Sequence, residues 1–250
     1  VMTGSNLHLS AAFGYSPTGN SRLYGISNYS FGLLSAASCV LAAVIALRWP
    51  TPRGRVVAIG LMVGTLVVLG VPIWGSDVGG IIAFTPTILV FAALLYGRRP
   101  SIRGLVATGV ATVAAVVVFG FVDLARPPAE RAHLGRLFER IGDEGLQPLL
   151  SIVERKLLAN LRVSTSSFWV AALPIAIGAW LFLRAWRERE GSPLAAVHAR
   201  IPTLHAALVA AAVAALLGSV VNDSGAIVGG VASLVITVTM VHLALAPDSS

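Results

Sequence analysis

Long apolar runs separated by short polar segments dominate the pattern of hydrophobic positions along the chain. These runs are close to the roughly 20 residues that a helix needs to cross the hydrocarbon core of a bilayer. Because each run is continuously apolar and not apolar at alternate positions, it predicts a membrane-spanning helix and not a barrel strand. The predicted spans are Tyr29–Leu47, Val56–Trp74, Val78–Tyr96, Leu105–Val122, Phe168–Leu183, Ile201–Val221 and Ala226–Ala246.

The pattern predicts an all-α, polytopic transmembrane helix bundle of about seven spans, with residues 1–250 forming a single membrane domain. One loop, residues 123–167, is too long for a simple turn. It contains two amphipathic segments, which we expect to form helices lying in the outer membrane interface. The first begins near Pro128, since proline suits the first turn of a helix. Their predicted apolar stripes are Leu134, Leu137, Phe138 and Ile141, and then Leu146, Leu150, Val153, Leu157 and Leu161.

Composition and charge placement set the location and orientation of this bundle. Hydrophobic residues make up 56% of the chain and charged residues 12%, against about 25% charged in a typical soluble domain. If the spans alternate, loops 48–55, 97–104 and 184–200 and the C-terminal tail share one side and carry the whole net charge of +7. Basic loops stay in the cytoplasm. We therefore predict a multi-pass protein of the cell membrane, with the N-terminus of this segment outside, the C-terminus cytoplasmic, lipid as its partner and no nucleic acid.

The sequence carries few recognisable motifs. The opening VMTGSNLHLS lacks the basic stretch and apolar core of a signal peptide, so an outside N-terminus predicts at least one upstream span in a longer protein. Cys39 is the one cysteine, which excludes an intrachain disulfide and a cysteine metal site. There is no phosphate-binding lysine loop, dinucleotide glycine signature or paired-histidine zinc motif. We predict no metal centre, and the residues identify no cofactor.

Unusual polar residues gather on the predicted outer side, first at the entry to span one. Arg22, Tyr24 and Asn28 share one helix face if the helix begins this early, since residues 24 and 28 are one turn apart. In the alternative interpretation, Arg22 is a solvated charge, Tyr24 an interfacial aromatic and Asn28 a helix N-cap.

The stretch IWGSDVGGII places the next polar group, Asp77, between spans two and three. If span two ends at Trp74, the residues GSD form a very tight turn and Asp77 caps span three, where the helix dipole favours its charge. Gly75, Gly79 and Gly80 permit tight turning and close helix approach. The alternative is a functional carboxylate that pairs with an arginine or binds a cation.

The long loop and the last connection supply the remaining candidates. His133, Arg136 and Arg140 share a face of the first amphipathic helix, where arginine suits bidentate binding of phosphate or carboxylate. The alternative is that these helices only cover the bundle and their charges are solvated. The residues of segment 222–225, NDSG, all favour a turn. The alternative is that Asp223 is a carboxylate of the site. The predicted composite site has catalytic Asp77, His133 and Asp223, and substrate-binding Arg22, Tyr24, Asn28, Arg126, Arg136 and Asn222.

A resemblance accompanies these motifs. The succession GYSP, R-x-Y-G-x-x-N, G-S-D-V-G-G, D-x-x-R-P-P-x-x-R-x-H-L-G-R and NDSG resembles an uncharacterised family of actinobacterial, polytopic envelope membrane proteins. That resemblance covers most of the chain and implies an envelope location, but no activity. A polytopic bundle with an outer loop rich in arginine and histidine is also similar in architecture to O-antigen ligases and polymerases, although no full signature of those enzymes is present.

Three functions fit these features. The first is handling of lipid-linked glycan or phospholipid intermediates in cell-envelope assembly, as an enzyme or enzyme module. There the arginines hold phosphate, and Asp77, Asp223 or His133 supplies general base or metal-ligand chemistry. The second is a transporter or permease component, motivated by Pro72, Pro86 and Pro174, because broken helices line transport sites. The third is a membrane anchor or scaffold for an additional domain or subunit.

Overall fold

The structure, a computed structural model, describes residues 25–98, 101–166, 189, 193–222 and 224–245. Within these ranges the chain is helical and contains no strand, which confirms the predicted all-α bundle. The α-helices are α1 (Asn28–Arg48), α2 (Pro52–Gly70), α3 (Val78–Leu95), α4 (Ile102–Leu124), α5 (His133–Glu144), α6 (Gln147–Ser166), α7 (Pro193–Arg200), α8 (Leu204–Val221) and α9 (Ala226–Leu245).

Six of the described helices are long and apolar enough to cross a membrane, namely α1, α2, α3, α4, α8 and α9. They correspond to six of the seven predicted spans. The remaining prediction, Phe168–Leu183, lies outside the described residues.

Short polar side chains fix where the spans begin. Ser27, Thr51, Asp77 and Ser101 each occupy the N-cap position and accept a hydrogen bond from the backbone N–H three residues later, at 2.9–3.1 Å. Such caps satisfy amide groups that have no partner within the helix. Asn28 is therefore the first residue of α1 and not its N-cap, so the N-cap interpretation of Asn28 is wrong.

The connection between α2 and α3 is longer than the sequence indicates. Helix α2 ends at Gly70 and not at Trp74, because Pro72 favours an extended conformation at Val71. Residues 71–77 then return over the end of α2, with Asp77 N–H donating to Leu69 O at 3.0 Å. The predicted three-residue turn is thus a seven-residue connection. At the start of α8 there is a smaller correction, since the helix begins at Leu204 and not at Ile201.

Small residues let the spans approach closely. Helix α3 packs along α8, and α1 packs against α2, α8 and α9. The buried positions include many alanines, among them Ala36, Ala43, Ala207 and Ala211, as is typical of helices that associate within lipid. The hydroxyls of Ser38 and Thr65 share a buried hydrogen bond of 3.0 Å between α1 and α2. Helix α4 lies at the edge of the described bundle, against α3 and α5.

The two ends of this bundle differ in chemistry. At one end α1, α3 and α9 begin, and we call it the polar end, defined by Ser27, Asn28, Ser76, Asp77, Asn222 and Ser224. At the other, the basic end, Arg55 lies over the ring of Tyr96 at 5.3 Å and Arg200 donates to Leu243 O at 2.6 Å. The arginines of the basic end are those that predict a cytoplasmic side. The assignment of sides stays a prediction.

The long loop forms two helices, as predicted, but with different starts. Pro128 begins a single 3₁₀ turn, Pro128–Glu130, and α5 begins only at His133. The carboxylate of Asp123, at the end of α4, accepts hydrogen bonds from the backbone of Ala132 and Gly135 and so sets the start of α5. Leu146 lies in the turn before α6, so it belongs to neither helix.

Candidate functional site at the polar end

Hydrogen bonds between distant parts of the chain hold the polar end together. Asn28 Nδ2 donates to Ser224 Oγ at 2.7 Å, joining the starts of α1 and α9. Ile26 N–H donates to Gly75 O at 2.9 Å, joining the entry of α1 to the α2–α3 connection. A Cβ atom at Gly25 would overlap that same carbonyl, and its φ of +82° favours glycine. The starts of α1 and α9 and the α2–α3 connection therefore lie together at the polar end.

The side chains of Asp77 and Asn222 both contact the first turn of α3, Asp77 as its N-cap and Asn222 from the end of α8. Asp77 is 5% exposed and its Oδ1 accepts from Gly80 N–H at 2.9 Å, which confirms the predicted cap. Asn222 is 3% exposed and ends α8. Its amide lies against Gly79, where a Cβ would overlap Asn222 Oδ1, so only glycine permits this approach. Asn222 Nδ2 is buried and donates no hydrogen bond to the part of the chain that the structure describes.

The backbone just before Asp77 is strained. Ser76 has a φ of +48°, and among the residues that the structure describes it is the only non-glycine residue with a positive φ. The left-handed region costs an L-residue roughly 1 kcal/mol. Hydrogen bonds from Ser76 N–H to Val71 O and from Asp77 N–H to Leu69 O hold this geometry. The position of the Asp77 carboxylate is thus fixed by its own connection.

A second buried carboxylate, Asp123, organises the loop after α4. It is fully buried, and it accepts from Ala132 N–H at 3.0 Å, from Gly135 N–H at 2.7 Å and from Arg126 Nη1 at 3.3 Å. Arg126 also pairs with Glu130 at 3.6 Å. The motif D-x-x-R-P-P-x-x-R-x-H-L-G-R therefore folds around its own first residue.

The predicted composite site is assembled only in part. Arg126 is engaged by Asp123 and Glu130, and Arg136 is exposed on α5. Among the described residues neither arginine forms an ion pair with Asp77. Since α1 begins at Asn28, a continuous helix face from Arg22 to Asn28 is wrong. Arg22, Tyr24 and Asp223 lie outside the described residues, so their roles stay predictions.

The exposed face of α5 carries the predicted histidine and arginines. His133 opens the helix and is exposed, Arg136 follows one turn later, and Arg140 is held by Glu144 through two hydrogen bonds of 3.0 Å. The hydrogen bond from Arg140 lowers the pKa of Glu144, and that from Glu144 raises the pKa of Arg140. Arg140 is thus held by a side chain of its own helix.

Helix α6 crosses the end of α8. Lys156 Nζ donates to Val221 O at 3.2 Å, and Asn160 Nδ2, one turn further on, donates to Val220 O. Carbonyl groups at a helix C-terminus lack partners within the helix, and a cation there also meets the negative end of the dipole. Two side chains of α6 thereby hold it against the residue pair that directly precedes Asn222.

The leucine stripe of α6 does not enter the bundle. Leu150, Val153, Leu157 and Leu161 are between 48% and 63% exposed. Helical periodicity places Arg155 and Arg162 on the opposite face. This arrangement is typical of a helix in the plane of a membrane surface, with its apolar side toward the acyl chains.

Sequence reasoning missed three contributors to this end of the molecule. Asp123 ends a span with Arg126 three residues later, and that spacing was a usable signal for a paired carboxylate. Lys156 and Asn160 lie at helical spacing, but their partners are backbone carbonyls 60 or more residues away. No pattern within α6 indicates such a contact.

Two observations concern the transporter hypothesis and metal binding. Helix α3 runs without a break through Pro86, where Thr85 and Thr87 donate to carbonyls one turn earlier at 2.8 Å. The broken helix that motivated a transporter is thus absent at Pro86, while Pro72 lies in a connection and Pro174 outside the described residues. Among the side chains that the structure describes, no three His, Cys, Asp or Glu groups lie together in a way that could hold a metal ion.

The described helices are those of an integral, multi-pass α-helical membrane protein. Comparisons with protein-family models, with curated proteins and with solved structures find no match to this chain. The resemblances to an actinobacterial envelope family and to O-antigen ligases and polymerases therefore stay predictions.

Proposed function

We propose that this membrane protein binds lipids with phosphate-bearing or glycan headgroups at its polar end, and so handles lipid-linked intermediates of cell-envelope assembly. The observation that carries the proposal is the placement of α6. Lys156 and Asn160 fix this helix across the end of α8, while its leucine stripe stays exposed. An amphipathic helix held in this way places acyl chains on one side and headgroups on the other.

Charge on the same helices supports an acidic headgroup. Arg155 and Arg162 lie on the face of α6 opposite the leucines, and Arg136 is exposed on α5. Arginine binds phosphate through two parallel hydrogen bonds, and such charge-assisted bonds are stronger than neutral ones. The buried polar groups of the polar end lie next to this surface, since Lys156 contacts the residue before Asn222. Polar groups at membrane depth commonly mark a functional site.

The test measures lipid retention by the full chain in nanodiscs. Native mass spectrometry compares phosphatidic acid, which carries an exposed phosphate, with phosphatidylcholine. We expect retention of phosphatidic acid to fall several-fold in Arg155→Gln, because a phosphate partner is lost. The matched control is Arg103→Gln, which removes an exposed arginine at the basic end of α4. Equal retention by the wild type of both lipids, or an equal loss in both variants, would contradict the proposal.

A further inference from the structure

Two buried polar side chains, Asp77 and Asn222, lie against the first turn of α3. Asn222 Nδ2 is a buried amide donor with no hydrogen-bond partner among the residues that the structure describes, in a side chain that is 3% exposed. Buried polar groups in native proteins are almost always hydrogen-bonded, so one that is not calls for an explanation. Its amide is pressed against Gly79, and Asp77 Oδ2 lies against Gly80 on the same turn.

We infer that Asp77 and Asn222 form a subsite for a hydroxyl group of a lipid headgroup, of the glycerol or sugar type. A hydroxyl donates to the carboxylate and accepts from the amide, whereas a carboxylate only accepts and an amide NH₂ only donates. The inference rests on the proposed function, because it identifies which part of the lipid headgroup Asp77 and Asn222 bind.

The same geometry disfavours a phosphate at this position. Helix N-termini commonly bind anions through their free N–H groups and dipole. Here the Asp77 carboxylate already occupies the N-terminus of α3, with Oδ1 accepting from Gly80 N–H at 2.9 Å. The N–H of Gly80, a donor that a phosphate would use, is therefore already satisfied by Asp77. A bare cation would leave the Asn222 donor unused.

A phosphate has a place close by. Lys156 Nζ contacts Val221 O at 3.2 Å, so its ammonium lies one residue along the chain from Asn222. A headgroup with both a phosphate and a neighbouring hydroxyl therefore finds a cation and a hydroxyl-reading pair side by side. In this inference Asp77 and Asn222 select the headgroup by its hydroxyl, and the basic side chains of α5 and α6 bind its phosphate.

The test uses three lipids in nanodiscs of the full chain. Phosphatidylglycerol carries a phosphate and headgroup hydroxyls, phosphatidic acid carries only the phosphate, and glucosyl diacylglycerol carries only the hydroxyls. Retention is measured by native mass spectrometry for the wild type, Asp77→Asn and Asn222→Asp. Both variants keep the size of the side chain, and Asp77→Asn also keeps a competent helix cap. The control Ser38→Ala removes the buried hydrogen bond to Thr65 between α1 and α2, outside the polar end.

We expect the wild type to retain phosphatidylglycerol about tenfold better than phosphatidic acid, the effect of two hydrogen bonds at a buried site. Both variants of the pair should lose this preference and still retain phosphatidic acid, and the control should keep the preference. Equal retention of both phospholipids by the wild type would overturn the inference, leave the proposed function intact and assign the Asn222 donor to a buried water only. If glucosyl diacylglycerol alone is retained, and both variants abolish it, the subsite is supported and the phosphate part of the proposed function fails. Retention of none of the three lipids overturns both.

Discussion

Two buried carboxylates cap helices in this membrane bundle and differ in what surrounds them. Asp123, fully buried, is surrounded by donors from its own segment: two backbone N–H groups and the guanidinium of Arg126. Asp77, 5% exposed, caps α3 beside Asn222, whose amide Nδ2 has no hydrogen-bond partner within the described ranges. Among the described residues, the Asp123 carboxylate accepts three hydrogen bonds, whereas the Asn222 donor beside Asp77 is unused. We therefore interpret Asp123 as structural and propose a functional role for the Asp77–Asn222 pair.

Removing Asp123 should have the largest effect on stability. Asp123→Ala leaves two buried N–H groups and a partly buried arginine without their acceptor, and breaking such a cluster costs roughly 3 kcal/mol. We expect a marked fall in the thermal unfolding temperature in detergent and exposure of α5 to proteases. Arg136→Ala, on the exposed face of α5, is the control and should leave both unchanged. An unaltered melt for Asp123→Ala would show that the cluster does not set the start of α5.

Filling the space beside Asn222 should have the next largest effect. Gly79→Ala places a Cβ where Asn222 Oδ1 lies, and overpacking of this kind costs about 2 kcal/mol. Gly64→Ala is the matched control, because the same change in α2 meets no atom within 4 Å. We expect a lower unfolding temperature for Gly79→Ala alone. A normal melt for Gly79→Ala would mean that Asn222 does not rest on α3.

The orientation of α6 at the membrane surface is tested by spectroscopy, since we expect a smaller effect of these changes on the unfolding temperature than of the preceding ones. Nitroxide labels at Leu157→Cys and Arg155→Cys, in a Cys39→Ala background, report the two faces of the helix in nanodiscs. The label at 157 should be accessible to oxygen in the acyl region, and the label at 155 to a water-soluble nickel reagent. Electron paramagnetic resonance measures both. Equal accessibility of the two labels to the nickel reagent would place α6 away from the lipid surface.

The smallest effect is expected at the exposed pair of Arg140 and Glu144. The pKa of Glu144 is lowered by its hydrogen bond from Arg140, so the pair contributes at neutral pH and is lost as the pH falls through that lowered pKa. Both side chains are in solvent, where such pairs contribute little. Glu144→Gln should match the wild type within the error of a melt at pH 7. A clear destabilisation there would mean that α5 depends on this pair as it does on Asp123.

The sequence predicted those features that follow from local pattern. Apolar runs defined the described spans, and the cap at Asp77 follows from a side chain three residues before the backbone N–H that it accepts from. The end of α2 was misplaced because Trp74 looks like a continuation of the apolar run, whereas the conformational restriction before Pro72 ends the helix. The contacts of Lys156, Asn160 and Asn222 were not predictable, since their partners are set by how the helices pack.

The most direct measurement compares Asp77→Asn and Asp123→Asn in the same experiment. Each variant is melted in detergent alone and again with added phosphatidylglycerol, which should stabilise the wild type by binding only the folded state. Asp77→Asn should melt close to the wild type in detergent and lose the stabilisation by lipid. Asp123→Asn should melt at a lower temperature in detergent and keep that stabilisation. The opposite pattern, with Asp77→Asn keeping the stabilisation by lipid and Asp123→Asn losing it, would contradict the account.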